Sequence, residues 1–257
     1  MAFGSLGTLG GTGGPKVSGG TCIITTTAAA QVGNIILVGS AWDNEATSDG
    51  DTTQLSCADS AGNTYTRVRE RTNTEAGLAD DGVCVTLFRS VVTVELALGG
   101  TITVTSASNR TAKGANAWEF SKAAGTTLAV EATDFANGEG VDPAVITLSG
   151  LPSREYLFVG VIGQEQSTAV STVSEASGNY TEFGQQGTSG GGGASNMLVE
   201  AAFRILTGTG DSINFATSSD TNTHCQIYAA IFEEVGGVVP APSDDPPIGI
   251  LGRGAGW

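Results

Sequence analysis

Asn34-Ile-Ile-Leu-Val-Gly-Ser-Ala-Trp42 is a nine-residue, almost wholly apolar run without a charge. Its length suits a strand buried in a sandwich core better than a helix, since no stretch of ten or more residues in the chain combines a 3.6-residue period with caps. Upstream, Thr21-Cys-Ile-Ile-Thr-Thr-Thr27 is β-branched and predicts another strand. Downstream, Asp43 to Thr53 is a polar, acidic loop. Gln54-Leu-Ser-Cys-Ala-Asp59 alternates with Leu55 and Cys57 on one face, Ser60 to Asn63 makes a turn, and Thr64-Tyr-Thr-Arg-Val68 resumes a strand. After a polar loop over Arg69 to Gly82 come Val83-Cys-Val-Thr-Leu-Phe-Arg89, Thr101-Ile-Thr-Val-Thr105 and Asn116-Ala-Trp-Glu-Phe120. The expectation is an all-β, antiparallel β-sandwich of jelly-roll-like build.

The rest of the chain repeats this plan. Leu157-Phe-Val-Gly160 echoes Leu37-Val-Gly39, Gly178-Asn-Tyr-Thr181 echoes Gly62-Asn-Thr-Tyr65, and Phe203-Arg204 echoes Phe88-Arg89. Ser212-Ile-Asn-Phe215 matches Thr101 to Val104, and Ile231-Phe-Glu233 matches Trp118-Glu-Phe120 with its order shifted. The body therefore spans 21–235, in pseudo-repeated halves of about 21–121 and 144–235. The joint between them, Ser121 to Pro143, is not linker-like, because it carries Leu128, Val130 and Phe135. Either two small sandwiches or one continuous sandwich fits. One continuous sandwich is the expectation, since each half alone looks too lean to close.

Residues 1–20 are Gly-rich and predict an extended arm. Residues 236–257 form a second one. Four of the seven prolines fall between Pro240 and Pro247, and Pro-rich chain is stiff and extended. Its end carries Ile248, Ile250, Leu251 and Trp257, an apolar set suited to anchoring on a partner chain; the alternative is a frayed tail.

The formal charge is −15 at a pI of about 4.2, the wrong sign for neutralising phosphates or for an anionic membrane surface. No run approaches the length of a membrane span, and the start lacks the basic and apolar regions of a signal peptide. Cys22, Cys57, Cys84 and Cys225 form no C-x-x-C pair; buried free thiols are expected, with a disulfide left open by spacing.

Candidate chemistry is sparse. The single histidine, His224, adjoins Cys225, but neighbouring strand residues point to opposite faces, so His224 is expected to be a surface or half-buried residue. Gly187-Thr-Ser-Gly-Gly191 matches G-x-S-x-G inside a glycine run, without the helix that a nucleophile elbow needs. Asp43, Glu45, Asp49 and Asp51 share one loop with Gly50. Hard cations take several oxygens, so Asp43, Asp49 and Asp51 are candidate ligands for a structural calcium; the alternative is a solvated acidic loop. No catalytic residue and no other cofactor is indicated. Trp42 and Trp118 lie in apolar strands and are expected in the core.

The succession of the apolar Gly-Asn-Ile-Ile-Leu-Val strand, Trp-Asp-Asn, Asp-Gly-Asp, Asp59-Ser-Ala-Gly-Asn-Thr-Tyr-Thr66, the Leu87-Phe88 strand, Thr-Ile-Thr-Val-Thr and Ala-Trp-Glu-Phe120 resembles β-sandwich structural proteins of tailed bacteriophages and phage-like gene clusters. The resemblance covers about residues 5–235, and Asp-Ser-Ala-Gly-Asn-Thr-Tyr is its sharpest motif. It implies a non-enzymatic virion component: a minor tail, fibre or spike, or capsid decoration protein, made in the host cytoplasm. Its partners would be other virion proteins and copies of itself, not nucleic acid or membrane. The alternative is a carbohydrate-binding module for host-surface glycans, which rests on fold analogy.

Overall fold

The structure is a computed structural model that describes residues 3–15, 18–44, 46–74, 82–139, 145–166, 172–189, 196–217 and 223–235. Among these residues there are twenty β-strands and no helix. The first half supplies β1 (Gly4–Thr12), β2 (Gly14–Pro15), β3 (Gly19–Thr25), β4 (Ile35–Asp43), β5 (Gly50–Asp51), β6 (Leu55–Asp59), β7 (Tyr65–Asn73), β8 (Val83–Val91), β9 (Thr101–Arg110) and β10 (Lys113–Ser121). The second supplies β11 (Thr126–Glu139), β12 (Ile146–Leu148), β13 (Arg154–Gln166), β14 (Val173–Glu175), β15 (Thr181–Glu182), β16 (Gln186–Ser189), β17 (Asn196–Gly208), β18 (Asp211–Ile213), β19 (Phe215–Thr217) and β20 (Thr223–Val235).

These strands stack in four layers. A three-stranded sheet, β3-β9-β6, covers a six-stranded sheet ordered β1-β10-β4-β8-β7-β5. That sheet packs its other face on the second large sheet, β11-β20-β13-β17-β16-β2, with β15 also on β17. The pairs β12-β18 and β14-β19 close the far side. The first five strands of one large sheet run β1-β10-β4-β8-β7, and the other runs β11-β20-β13-β17 with β15 and β16 both on β17; one three-stranded sheet covers the first and two separate pairs cover the second.

Why β4 lacks alternation now has a physical answer. Ile35, Leu37 and Ala41 face the central core between the large sheets, whereas Ile36, Val38 and Trp42 face the outer core of the first half. Side chains alternate between faces, but both faces are buried, so the whole strand is apolar. Strand β13 does the same, with Leu157, Val159 and Val161 inward and Tyr156, Phe158 and Ile162 outward.

Three expectations need correction. First, residues 4–12 are not a free arm. They pair with β10 as the edge strand β1, and Leu9 is buried in the outer core. Gly7 and Gly10 sit at φ of 123° and 122°, at the two register shifts of this ladder, where only glycine adopts the bulged backbone without strain. Second, the sandwich layering is deeper than the sequence suggests. Each half closes an apolar layer of its own, and a third joins them. The halves are less lean than they look because β1 comes from the expected arm and β11, with Leu128, Val130 and Phe135, from the joint. Third, residues 69–73, expected in a loop, belong to β7. Arg69 and Arg71 stay in β7 because they lie over the Phe135 ring, at 4.7 and 3.5 Å from its centroid, and pair with Asp51.

Two of the sequence echoes are also displaced by one residue. Gly39 faces Ala201 and Val161 across the central core, but Gly160 faces Ile213 and Phe215 on the other side of its sheet. Likewise Phe88 belongs to the outer core of the first half and Phe203 to the central core. A one-residue slip exchanges the faces of a strand. The facing that matches pairs Leu37 with Leu157, whose ladder partners are Arg89 and Ile205.

Candidate functional site

The acidic loop does not converge on one point. Asp43 is buried, and its Oδ2 accepts from Thr111 Oγ1 at 3.2 Å and from the Ala112 amide at 2.9 Å. Asp49 Oδ1 accepts from the Thr74 amide and hydroxyl at 2.8 and 3.0 Å. Burial tends to raise the pKa of Asp49, but these bonds, Asn137 and Arg71 together hold it below the ordinary value. Asp51 is held by Arg69, Nε and Nη2, at 3.1 and 3.2 Å. Each carboxylate thus has its own donors, and among the described residues no three His, Cys, Asp or Glu side chains gather as a metal site. Glu45 lies outside the described residues, as do Ile248, Ile250, Leu251 and Trp257.

His224 is buried, not superficial, at 2% exposure, because both faces of β20 are covered; Cys225 points the other way, into the central core. The four cysteines are free. Cys22, Cys84 and Cys225 are buried, and desolvation pushes their thiols up, Cys22 to about 12, which disfavours the thiolate. The G-x-S-x-G match begins inside β16, and its last two residues lie outside the described ones. Trp42 is fully buried; Trp118 is only half-buried and donates to Ser5 Oγ at 2.8 Å.

The Asp-Ser-Ala-Gly-Asn-Thr-Tyr motif is structural. Asp59 Oδ1 accepts from the amides of Ala61 and Asn63, both at 3.0 Å, and Asp59 Oδ2 from Asn63 Nδ2 and the Tyr65 hydroxyl. Asn63 Oδ1 in turn accepts from the amides of Thr93 and Val94. The motif locks the β6–β7 turn to the segment that follows β8.

A different place has the properties of a binding site. A groove of ≈ 380 Å³ is lined by Thr64, Thr66, Arg89, Ser90, Val91, Thr126, Thr127 and Leu128. It lies at the rim of the central core. Val83, Val85 and Leu87 of β8 fill that core, and Arg89 and Val91 continue the same face outward. Thr66 stands directly opposite Arg89 in the β7–β8 ladder, with Thr64 two residues along on the same face. The first three residues of β11 form the other wall, where Leu128 packs against the core.

Among the described residues Arg89 has no hydrogen-bond, ion-pair or ring partner, and its Nε is buried. Burial pushes its pKa down from the ordinary value, with no carboxylate offsetting that. The other arginines of the large sheets are matched: Arg67 to Glu70 at 3.1 Å, Arg69 and Arg71 to Asp51, Arg154 to Glu131 at 3.7 Å and Arg204 to Asp211 at 3.2 Å. In the second half the corresponding position is Ile205, which simply extends the core.

Family models, curated proteins and solved structures were all compared with this chain, and none matches.

A half-buried guanidinium facing hydroxyls and two apolar side chains can bind a carboxylate in a bidentate manner and receive polar groups around it. A second hollow, of ≈ 280 Å³ beside Thr12, Cys22, Ile23 and Lys113, is poorer in this respect, because Lys113 Nζ already donates to the carbonyls of Gly19 and Arg110, both at 2.8 Å. Sequence reasoning passed over Arg89. The echo with Arg204 hid it, since Arg204 has an acid beside it and Arg89 does not.

Proposed function

We propose that this chain is a non-enzymatic structural component of a bacteriophage virion, of the minor tail, fibre or capsid decoration class. One observation carries the reading: the strand order within each half. Counting β1, β3, β4, β6, β7, β8, β9 and β10 as eight successive strands, the large sheet runs first-eighth-third-sixth and the small one second-seventh-fourth. This order supports a jelly-roll-like reading, with the fifth strand placed on the sixth, and the order β11-β20-β13-β17-β15 in the other large sheet is read in the same way. Jelly rolls build viral capsid and lectin domains. The pairing of two such units through their large faces supports a pseudo-repeated, rigid assembly block.

With residues 4–12 engaged as β1, attachment to neighbouring subunits falls to residues 236–257, through Ile248, Ile250, Leu251 and Trp257. The test is deletion of 240–257 in the host that carries the gene. The truncated protein is expected to melt as the full chain does and to be missing from purified particles; normal incorporation would overturn the role.

A second reading, recognition of a host-surface glycan, is favoured by the Arg89 groove. It is compatible with the first, because the groove lies on the body and not on the tail.

A further inference from the structure

We propose that the Arg89 groove is a binding site for a carboxylate-bearing sugar, with the guanidinium receiving the carboxylate and Thr64 and Thr66 receiving ring hydroxyls. The inference rests on the glycan reading and is independent of the assembly role.

The argument starts from cost. Arg89 is half-buried with its Nε out of reach of water, and taking even part of a cation from water without a partner is unfavourable. This chain has 26 acidic residues against 11 basic ones, so acids to pair with Arg89 are not scarce. Its neighbours in the groove are nevertheless hydroxyls and aliphatic carbons, and Ile205 shows that a plain apolar residue suits the matching place. A bound anion would supply the missing charge.

Hydroxyl chemistry then narrows the class of anion. Among the described residues the Thr64 and Thr66 hydroxyls make no bond to a protein group, whereas Thr126 Oγ1 is taken by the Ala123 carbonyl at 2.8 Å and by Glu233. Two free hydroxyls across the ladder from the guanidinium suit a ligand that carries several hydroxyls beside its carboxylate. Val91 and Leu128 offer an apolar wall for the C–H face of a pyranose ring. The groove's volume is at the small end of ligand sites and fits one sugar unit. Glu233 is not among the lining residues; its carboxylate is turned to the Ala123 amide and the Thr126 hydroxyl. With one ion pair in an open groove, affinity should be modest, a Kd on the order of 1 mM per sugar unit.

The experiment is a titration of the full chain followed by NMR at the Arg89 Nε–H, with methyl glucuronide and N-acetylneuraminic acid as probes, methyl glucoside as the neutral control and acetate as the simple anion. The expected result is saturable shifts with at least one acidic sugar, binding at least tenfold weaker for methyl glucoside and acetate, loss of binding in Arg89→Met and severalfold weakening in Thr66→Val. Thermal melts of both variants establish that they are folded. Acetate binding as tightly as the sugars would overturn the proposal in favour of a general anion cradle. Sugar binding unchanged in Arg89→Met, or no saturable shift with any probe, would overturn it outright. None of these failures touches the assembly role, which is read from the tail deletion.

Discussion

A Cβ placed on Gly163 of β13 would lie 2.7 Å from the Cβ of Ala41 on β4, closer than real carbon atoms approach. Val85 Cγ2 and Val83 Cγ2 crowd the same point at 2.6 and 2.8 Å. The two large sheets therefore come to backbone distance here, and the glycine is required by space alone, since its φ is not in the left-handed region. Gly163→Ala should lower stability by about 1–3 kcal/mol through overpacking. Urea denaturation is the check: the midpoint should fall while the strand signal in circular dichroism is kept, and an unchanged midpoint would mean the sheets have room to part.

Asn63 is buried at 4% exposure, and its amide group makes five bonds, to Thr93 N and Oγ1, Val94 N and O, and Asp59 Oδ2. Asn63→Ala leaves the Thr93 and Val94 amides without acceptors. Thr93 and Val94 are exposed residues, so water can reach the freed amides and recover part of each bond, and a loss of roughly 1–2 kcal/mol is expected. Amide exchange at Thr93 and Val94 should accelerate more than exchange in β20; uniform acceleration across the chain would contradict the local role.

Glu200 of β17 is buried, and burial together with the nearby Glu182 carboxylate pushes its pKa up to about 8, although the Gly184 and Ala201 amides donate to its Oε1. The sign follows from proton linkage. Between its ordinary value of 4.5 and about 8, the unfolded chain releases this proton and the folded chain keeps it, so stability falls as pH rises through that window. The loss levels off above about 8, with roughly 3–5 kcal/mol as an upper bound. Glu200→Gln should flatten this part of the profile. Parallel slopes for the two proteins between pH 5 and 8 would rule the effect out.

Arg89→Met removes the unpartnered charge and keeps the length of the side chain. Without ligand, the variant should melt no lower than the parent, and up to about 1 kcal/mol of added stability is expected. A clear drop in melting temperature would mean that the guanidinium has a structural partner after all.

How far the sequence could be read depended on what each residue reports. Apolar runs such as 34–42 report burial, and burial was enough to announce an all-β core. They do not say on which side the cover lies, so β4 could not reveal that it faces two cores at once. The glycines of β1 look like an arm because a bulged edge strand uses the same residues as a flexible segment. Arg69 and Arg71 look like loop residues because the ring beneath them, Phe135, is more than sixty positions away. The acids at 43, 49 and 51 look like a cluster in one dimension and separate in three. For Arg89 the deciding fact is the absence of an acid nearby in space among the described residues, and no linear spacing encodes that.

The central core has a further consequence. Phe183 and Phe203 of the second half interlock with Trp118 and Phe120 of the first, and the Phe3 amide donates to Glu155 at 2.7 Å across the same seam. Between separate polypeptides, a junction of this kind would exist only above some concentration. Carried on one chain, its two sides stay at the local concentration that a covalent tether sets, and dilution cannot open it.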